Sequence, residues 1–147
     1  MLQRLVSLLS GEEEAAPEDR EDAAHVAIAA LLVEAAHADG EYLDAERAMI
    51  DHVLAERFGL SPADAEKLRA KGEEAQAEAV DLVRFTRVIK DAIPIEDRIE
   101  VIEAVWRVVY ADDHRDAHEG NLIRRLAGLL YIADRDAGLA RQRVTGN

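Results

Sequence analysis

The sequence contains no cysteine, and this absence excludes several kinds of chemistry at once. Disulfide bonds, thiolate metal ligands and thiol nucleophiles are all ruled out, and a chain without cysteine suits a reducing cytoplasm. The sequence also lacks a glycine-rich phosphate loop and a serine in a nucleophile-elbow pattern. We therefore expect a cytoplasmic protein whose chemistry, if it has any, depends on oxygen and nitrogen side chains.

Basic residues are fewer than acidic residues in this sequence. Eighteen lysine and arginine residues face thirty-one aspartate and glutamate residues, which gives a formal net charge of −13. Such a charge repels phosphate backbones and anionic lipids, so nucleic-acid binding and general membrane binding are disfavoured. Cations and basic protein partners are favoured instead. Since an excess of acid most often serves solubility alone, the positions of the acids matter more than their number.

The N-terminal segment is apolar at Leu2, Leu5, Val6, Leu8 and Leu9. It is too short to cross a bilayer and lacks a small-residue cleavage site, so we interpret it as a helix that packs on its own domain. A protein partner or a membrane surface is the alternative. An acidic stretch follows, with Pro17 within it. We assign residues 1–22 to an N-terminal helix and acidic linker, and residues 23–147 to one helical domain.

The remaining chain predicts an all-α compact bundle of about seven helices. Two helices are apolar nearly all round, which is typical of helices at the centre of a bundle. No segment shows the sustained alternation of a β-strand, and helix caps and stops are frequent. The predicted helices are Ala23–Ala38, Ala45–Phe58 after an Asp44 cap, Pro62 to about Glu78 with Gly72 as a kink or break, Asp81 to Ile93, Ile95–Tyr110, Asp116–Leu130, and a last helix from Asp134.

A short acidic pattern occurs twice. Ala38-Asp39-Gly40 with Glu46 is repeated 73 residues later as Ala111-Asp112-Asp113 with Glu119, and an apolar helix precedes both copies. The repeat predicts an internal pseudo-two-fold duplication of one helix–loop–helix unit.

Oxygen ligands from such loops are what hard divalent cations prefer. Neither loop has the spacing of an EF-hand. The simpler alternative is that the acids only cap helices or favour helix N-termini. That alternative does not explain Asp39 and Asp112, because an anion at a helix C-terminus is unfavourable by about 0.3–1 kcal/mol. We therefore treat the two loops as a candidate cation site.

Several segments together resemble the TerB-like tellurite-resistance family, over about residues 24–135. The segments that carry the resemblance are Leu31–Glu41, Asp44-Ala45-Glu46, Glu103–Asp112, Glu119 and Leu122–Arg125. The resemblance implies an all-helical fold of about seven helices with internal two-fold symmetry and a divalent-cation site. Its ligands would be Asp39, Glu46, Asp112 and Glu119, with Asp44, Asp113 and Asp116 as secondary candidates. Asp113 and His114 depart from the glycine and the acidic residue that the family pattern has there.

The resemblance also implies a role in tellurite resistance and stress responses through protein partners, without a demonstrated reaction on tellurite. We expect a non-enzymatic module that binds a divalent cation, whether calcium, magnesium, manganese or zinc, and contacts other proteins. The alternative is a metal-free structural adaptor that recruits a basic partner. A metal-dependent hydrolase would also need a positioned base, and no residue identifies one. Membrane association is expected only through a partner or the N-terminal helix, and the oligomeric state is open.

Overall fold

A computed structural model describes residues 17–38, 40–112 and 117–146, and within the helices the side chains of residues 17–18, 112 and 117–120 are not described. These residues form seven α-helices and contain no β-strand. The helices are α1 (Pro17–His37), α2 (Asp44–Phe58), α3 (Pro62–Glu78), α4 (Val83–Ala92), α5 (Ile95–Val109), α6 (Ala117–Leu129) and α7 (Asp134–Thr145), with a 3-10 turn at Tyr110–Asp112. The all-α prediction is confirmed, and the predicted N-terminal helix lies outside the described residues.

Helix α1 lies at the centre of the bundle. It packs against α2, α3, α4, α5 and α6. Leu31, Leu32 and Val33 are completely buried, although they are consecutive and therefore point in three different directions. A helix buried on every side is what its apolar composition predicts. Helix α5 is the second buried helix, and it packs against α7 as well as α1 and α2.

Gly72 sets the distance between α1 and α3. Helix α3 runs without a break through this position, so the predicted division at Gly72 is wrong. A Cβ atom at Gly72 would lie 2.6 Å from the Cβ of Ala29 and 2.8 Å from its carbonyl carbon. The glycine is therefore required because the two helices approach too closely for any side chain at this point.

Residues next to the N-termini of α3 and α2 determine where these helices begin. Ser61 is the N-cap of α3, and its hydroxyl accepts a hydrogen bond from Asp64 N at 3.1 Å. Asp44 was expected to cap α2, but it is the first helical residue and its carboxylate pairs with Arg47 at 3.0 Å. The N-cap position belongs to Leu43, whose backbone N–H donates to Glu46. The predicted N-cap, Asp44, therefore lies one residue after the observed N-cap, Leu43.

The internal duplication remains a prediction. The helices that precede the two acidic loops end at His37 and Val109, which are 72 residues apart, whereas the acidic pattern repeats after 73 residues. In the described part of the chain, no helix is both long enough and apolar enough to cross a membrane.

Candidate metal centre

Glu46 is a carboxylate with no exposure to solvent. It lies in the first turn of α2, where Glu46 Oε1 accepts a hydrogen bond from Leu43 N at 2.9 Å. In a full capping box the N-cap side chain would also accept a hydrogen bond from the backbone N–H of Glu46. A leucine side chain has no acceptor atom, so only half of the capping box is formed. A carboxylate is costly to bury unless hydrogen bonds or a positive charge accompany it. Glu46 therefore supplies a buried oxygen donor of the kind that hard cations prefer.

The backbone of the second loop comes close to this helix. The 3-10 turn that ends at Asp112 packs against α2. Two ion pairs also join α2 to α5: Arg57 Nη1 lies 2.8 Å from Glu100 Oε2, and Arg107 Nη2 lies 3.4 Å from Glu56 Oε2. The backbone that leads to Asp112 therefore lies beside the helix that carries Glu46.

Asp39, Asp113 and Asp116 lie outside the described residues, and so do the side chains of Asp112 and Glu119. Among the residues described, no group of three or more histidine, aspartate or glutamate side chains could hold a metal ion.

Asp44 differs sharply from Glu46. Its side chain is fully exposed and paired with Arg47, whereas Glu46 is fully buried. Residues two apart on a helix face different directions, so the structure does not bring Asp44 and Glu46 together.

The first loop is anchored to α3 by a network that the sequence reasoning missed. The Tyr42 hydroxyl donates to Glu73 Oε2 at 2.6 Å. Arg69 donates to the same carboxylate oxygen at 3.1 Å and to Asp51 Oδ1 at 2.6 Å. An aromatic residue in an otherwise acidic loop was the only available signal. Glu73, which lies 31 residues away on a helix rich in glutamate, gave none.

Protonation states hold this network together. Burial, together with the hydrogen bond to Glu73, raises the pKa of Tyr42 to about 12. Burial alone would raise the pKa of Glu73, but hydrogen bonds from Tyr42 and Arg69 and the positive charges of Arg69 and Arg47 outweigh it and lower that pKa. At neutral pH the phenol therefore stays a donor and the carboxylate stays an acceptor.

Two further contacts fix the ends of the loop. Gly40 adopts the left-handed conformation at φ 86°, and its N–H donates to His37 O at 2.9 Å. At the other end, the Tyr42 ring lies 4.6 Å from the His37 ring and 4.5 Å from the Arg47 guanidinium. The loop between α1 and α2 therefore has a defined path on both sides of Asp39.

Comparison with known families settles the relationship of the chain. The sequence model of the tellurite resistance protein TerB family matches residues 25–142. The chain belongs to the TerB family. The TerB match runs from the first turns of α1 into α7, so it includes both acidic loops and the network around Tyr42. No curated protein and no solved structure matched the chain. The resemblance predicted from the two acidic segments is thus confirmed, while the cation site is not tested by it.

Proposed function

We propose that this TerB-family chain is a non-enzymatic, cytoplasmic module that binds a divalent cation and contacts partner proteins in a bacterial tellurite-resistance or stress response. The cation would be held by Asp39 and Glu46 from the first loop and by Asp112 and Glu119 from the second. Calcium, magnesium, manganese and zinc are the candidate ions.

The complete burial of Glu46 carries this proposal. A carboxylate that served only solubility would lie at the surface, where it stays hydrated and avoids the free-energy cost of desolvation. In addition, the turn that carries Asp112 packs against the helix that carries Glu46, which supports a single shared site over two separate ones.

Thermal unfolding in the presence of each ion tests the cation part. A ligand that binds only the folded state stabilises it, by about 2.7 kcal/mol when its concentration is 100 times the dissociation constant. For a domain of this size that corresponds to a rise in Tm of roughly 5–10 °C. Chelator-treated protein should show this rise with at least one of the four ions. No shift with any of them at millimolar excess would refute the proposal.

Two substitutions distinguish binding of the ion at a defined site from its attraction to the overall negative charge. Glu46→Gln keeps the shape and one acceptor oxygen but removes the charge, so the ion-dependent rise in Tm should disappear relative to the same variant without metal. Glu66→Gln is the matched control, because Glu66 is an exposed glutamate on α3. Equal loss of the metal response in both variants would mean that the ion responds to overall charge and not to a site.

Trp106 provides a second readout. Its ring stacks on Tyr110 with centroids 5.5 Å apart, and Tyr110 is the first residue of the turn that ends at Asp112. Binding of an ion at Asp112 should therefore change the tryptophan fluorescence, with the same concentration dependence as the thermal shift.

The structural adaptor is the second candidate function, favoured by the net charge of −13, which would attract a basic partner. Changing Asp39 and Asp112 together to asparagine distinguishes the two. Loss of the metal response supports the cation site. An unchanged metal response with weaker binding of a basic partner supports the adaptor.

A further inference from the structure

The exposed side of α4 combines positive charge with apolar side chains. Val83, Arg84, Arg87, Lys90 and Asp91 all lie on this side, since their positions fall within about one-third of the helix circumference at 100° per residue. Three cations and one carboxylate leave the side net positive. Val80, just before the helix, is fully exposed, and Val83 is 38% exposed. We call this surface the α4 face. Lys90 Nζ lies 4.0 Å from the centroid of the Tyr131 ring, so Tyr131 extends the face at its C-terminal end.

Five arginines elsewhere in the described residues are held in ion pairs. Arg47, Arg57, Arg69, Arg107 and Arg143 each pair with a carboxylate. Within residues 17–38, 40–112 and 117–146, neither Arg84 nor Arg87 has such a partner. In a chain that carries a net charge of −13, two neighbouring unpaired arginines form a local positive area in a negative surround.

A groove lies beside the N-terminal end of the face. It has a volume of about 410 Å³, and its mixed lining includes apolar Val80, Leu82, Phe85 and Leu122 as well as polar Gln76 and Arg125. The two carboxylates that also line it are already engaged. Glu34 accepts a hydrogen bond from Gln76 at 2.7 Å, and Asp81 accepts one from Val83 N at 2.9 Å. These bonds engage the carboxylate oxygens without removing their charge, so an apolar side chain in the groove would lie beside both carboxylates and the Arg125 guanidinium.

Tyr131 is held in an unfavourable backbone conformation. Its φ is 59°, the left-handed region that side chains with a Cβ atom avoid. Tyr131 N donates to Gly128 O and Ile132 N donates to Ala127 O, which is the Schellman pattern at the end of α6. Helix α2 ends in the same way, but there glycine occupies the left-handed position at Gly59. The tyrosine is 73% exposed, so burial in this chain does not account for it.

We propose that the α4 face binds an acidic amphipathic helix of a partner protein. The apolar side chains of that helix would enter the groove and contact Val83 and Tyr131, while its carboxylates would meet Arg84, Arg87 and Arg125. A single helix offers a few carboxylates at short range. A nucleic acid or an anionic membrane presents an extended negative surface that the whole chain repels. This surface is independent of the proposed cation site.

A fluorescent synthetic peptide of leucine and glutamate in helical spacing is the probe, and its twin has lysine in place of glutamate. The full chain should bind the glutamate peptide in an anisotropy titration and should not bind the lysine peptide. Arg84→Glu with Arg87→Glu should weaken binding about tenfold or more, because charge pairs at interfaces contribute on this scale. Lys67→Glu with Lys71→Glu is the control, since it places the same charge change on exposed residues of α3 and should have little effect.

Tyr131→Gly separates a binding role from a folding role. Glycine fits the left-handed conformation, so the variant should unfold at a temperature roughly 2–4 °C higher while it binds the glutamate peptide more weakly. Equal binding of both peptides, equal loss in the lysine control, or full binding by the arginine double variant would overturn the proposal. Phosphatidylserine vesicles that bind the chain and lose binding in the arginine double variant would also overturn it, in favour of a membrane surface.

Discussion

Replacing Gly72 with alanine should destabilise the fold, although alanine is the better helix former. In an exposed helix the exchange stabilises by about 1 kcal/mol. Here the new methyl group would lie 2.6 Å from Ala29 Cβ, 2.8 Å from the Ala29 carbonyl carbon and 3.0 Å from Ala30 N. Two of these three atoms belong to the backbone of α1, which cannot turn aside as a flexible side chain would. Helices α1 and α3 must therefore separate.

The expected size follows from two opposing contributions. Inserting one methylene or methyl group into a packed interior typically costs about 1–3 kcal/mol, and contacts with backbone belong to the upper part of that range. Subtracting the gain in helix propensity leaves a net loss of about 2 kcal/mol. For a domain of this length the Tm should fall by roughly 4–8 °C.

Thermal and urea unfolding followed by circular dichroism measure this loss. Gly138→Ala is the matched control, because Gly138 lies within α7 and a Cβ there meets no atom within 4 Å. The control should raise the Tm. Adding Ala29→Gly to Gly72→Ala should restore only part of the stability, since the backbone contacts remain. A higher Tm for Gly72→Ala, similar to that of Gly138→Ala, would refute the close approach of the two helices.

Two predictions concern titration. Because the pKa of Tyr42 is raised to about 12 from 10, its contribution to stability is present below pH 10 and is lost as the pH rises through 12. Ultraviolet difference titration should show a late phenolate step that Tyr42→Phe removes; if the step that Tyr42→Phe removes lies near pH 10 instead, the raised pKa is contradicted. Burial against Phe58 lowers the pKa of His25, despite Glu21 and Asp22. Its contribution is present above about pH 6.5 and lost as the pH falls through the lowered pKa, so His25→Gln should flatten the Tm profile there; an unchanged acid slope would count against it.

Helix boundaries were predictable because their signals are local. Ser61 followed by Pro62 fixes the start of α3, Gly59 terminates α2, and Pro94 separates α4 from α5. Each signal acts through the conformation or hydrogen bonds of one or two residues, so no tertiary knowledge is needed. The packing role of Gly72 was not predictable for the opposite reason. A glycine within a helix pattern is compatible with a break, a kink or a close helix contact, and the contact with Ala29 involves a different helix.

The candidate site was only partly predictable. Glu46 was found from the repeated spacing, but its complete burial was not, because periodicity placed it on a helix and not against particular neighbours. The bond from Tyr42 to Glu73 spans 31 residues and has no local signature. Tyr131 was assigned no role, because a left-handed residue that is not glycine cannot be recognised from its sequence neighbours.

The adjacency of Gly72 and Glu73 connects the packing of the bundle to the geometry of the first acidic loop. Gly72 lets α3 approach α1, and the next residue, Glu73, accepts the hydrogen bond from Tyr42 at 2.6 Å. At this length the bond is near the short end of the normal range, so an outward movement of α3 by even half an ångström would weaken it. The position of Tyr42 in this loop is therefore set less by the loop sequence than by the separation of two helices. The acidic spacing alone consequently defines the candidate ligands but not the shape of the loop that presents them.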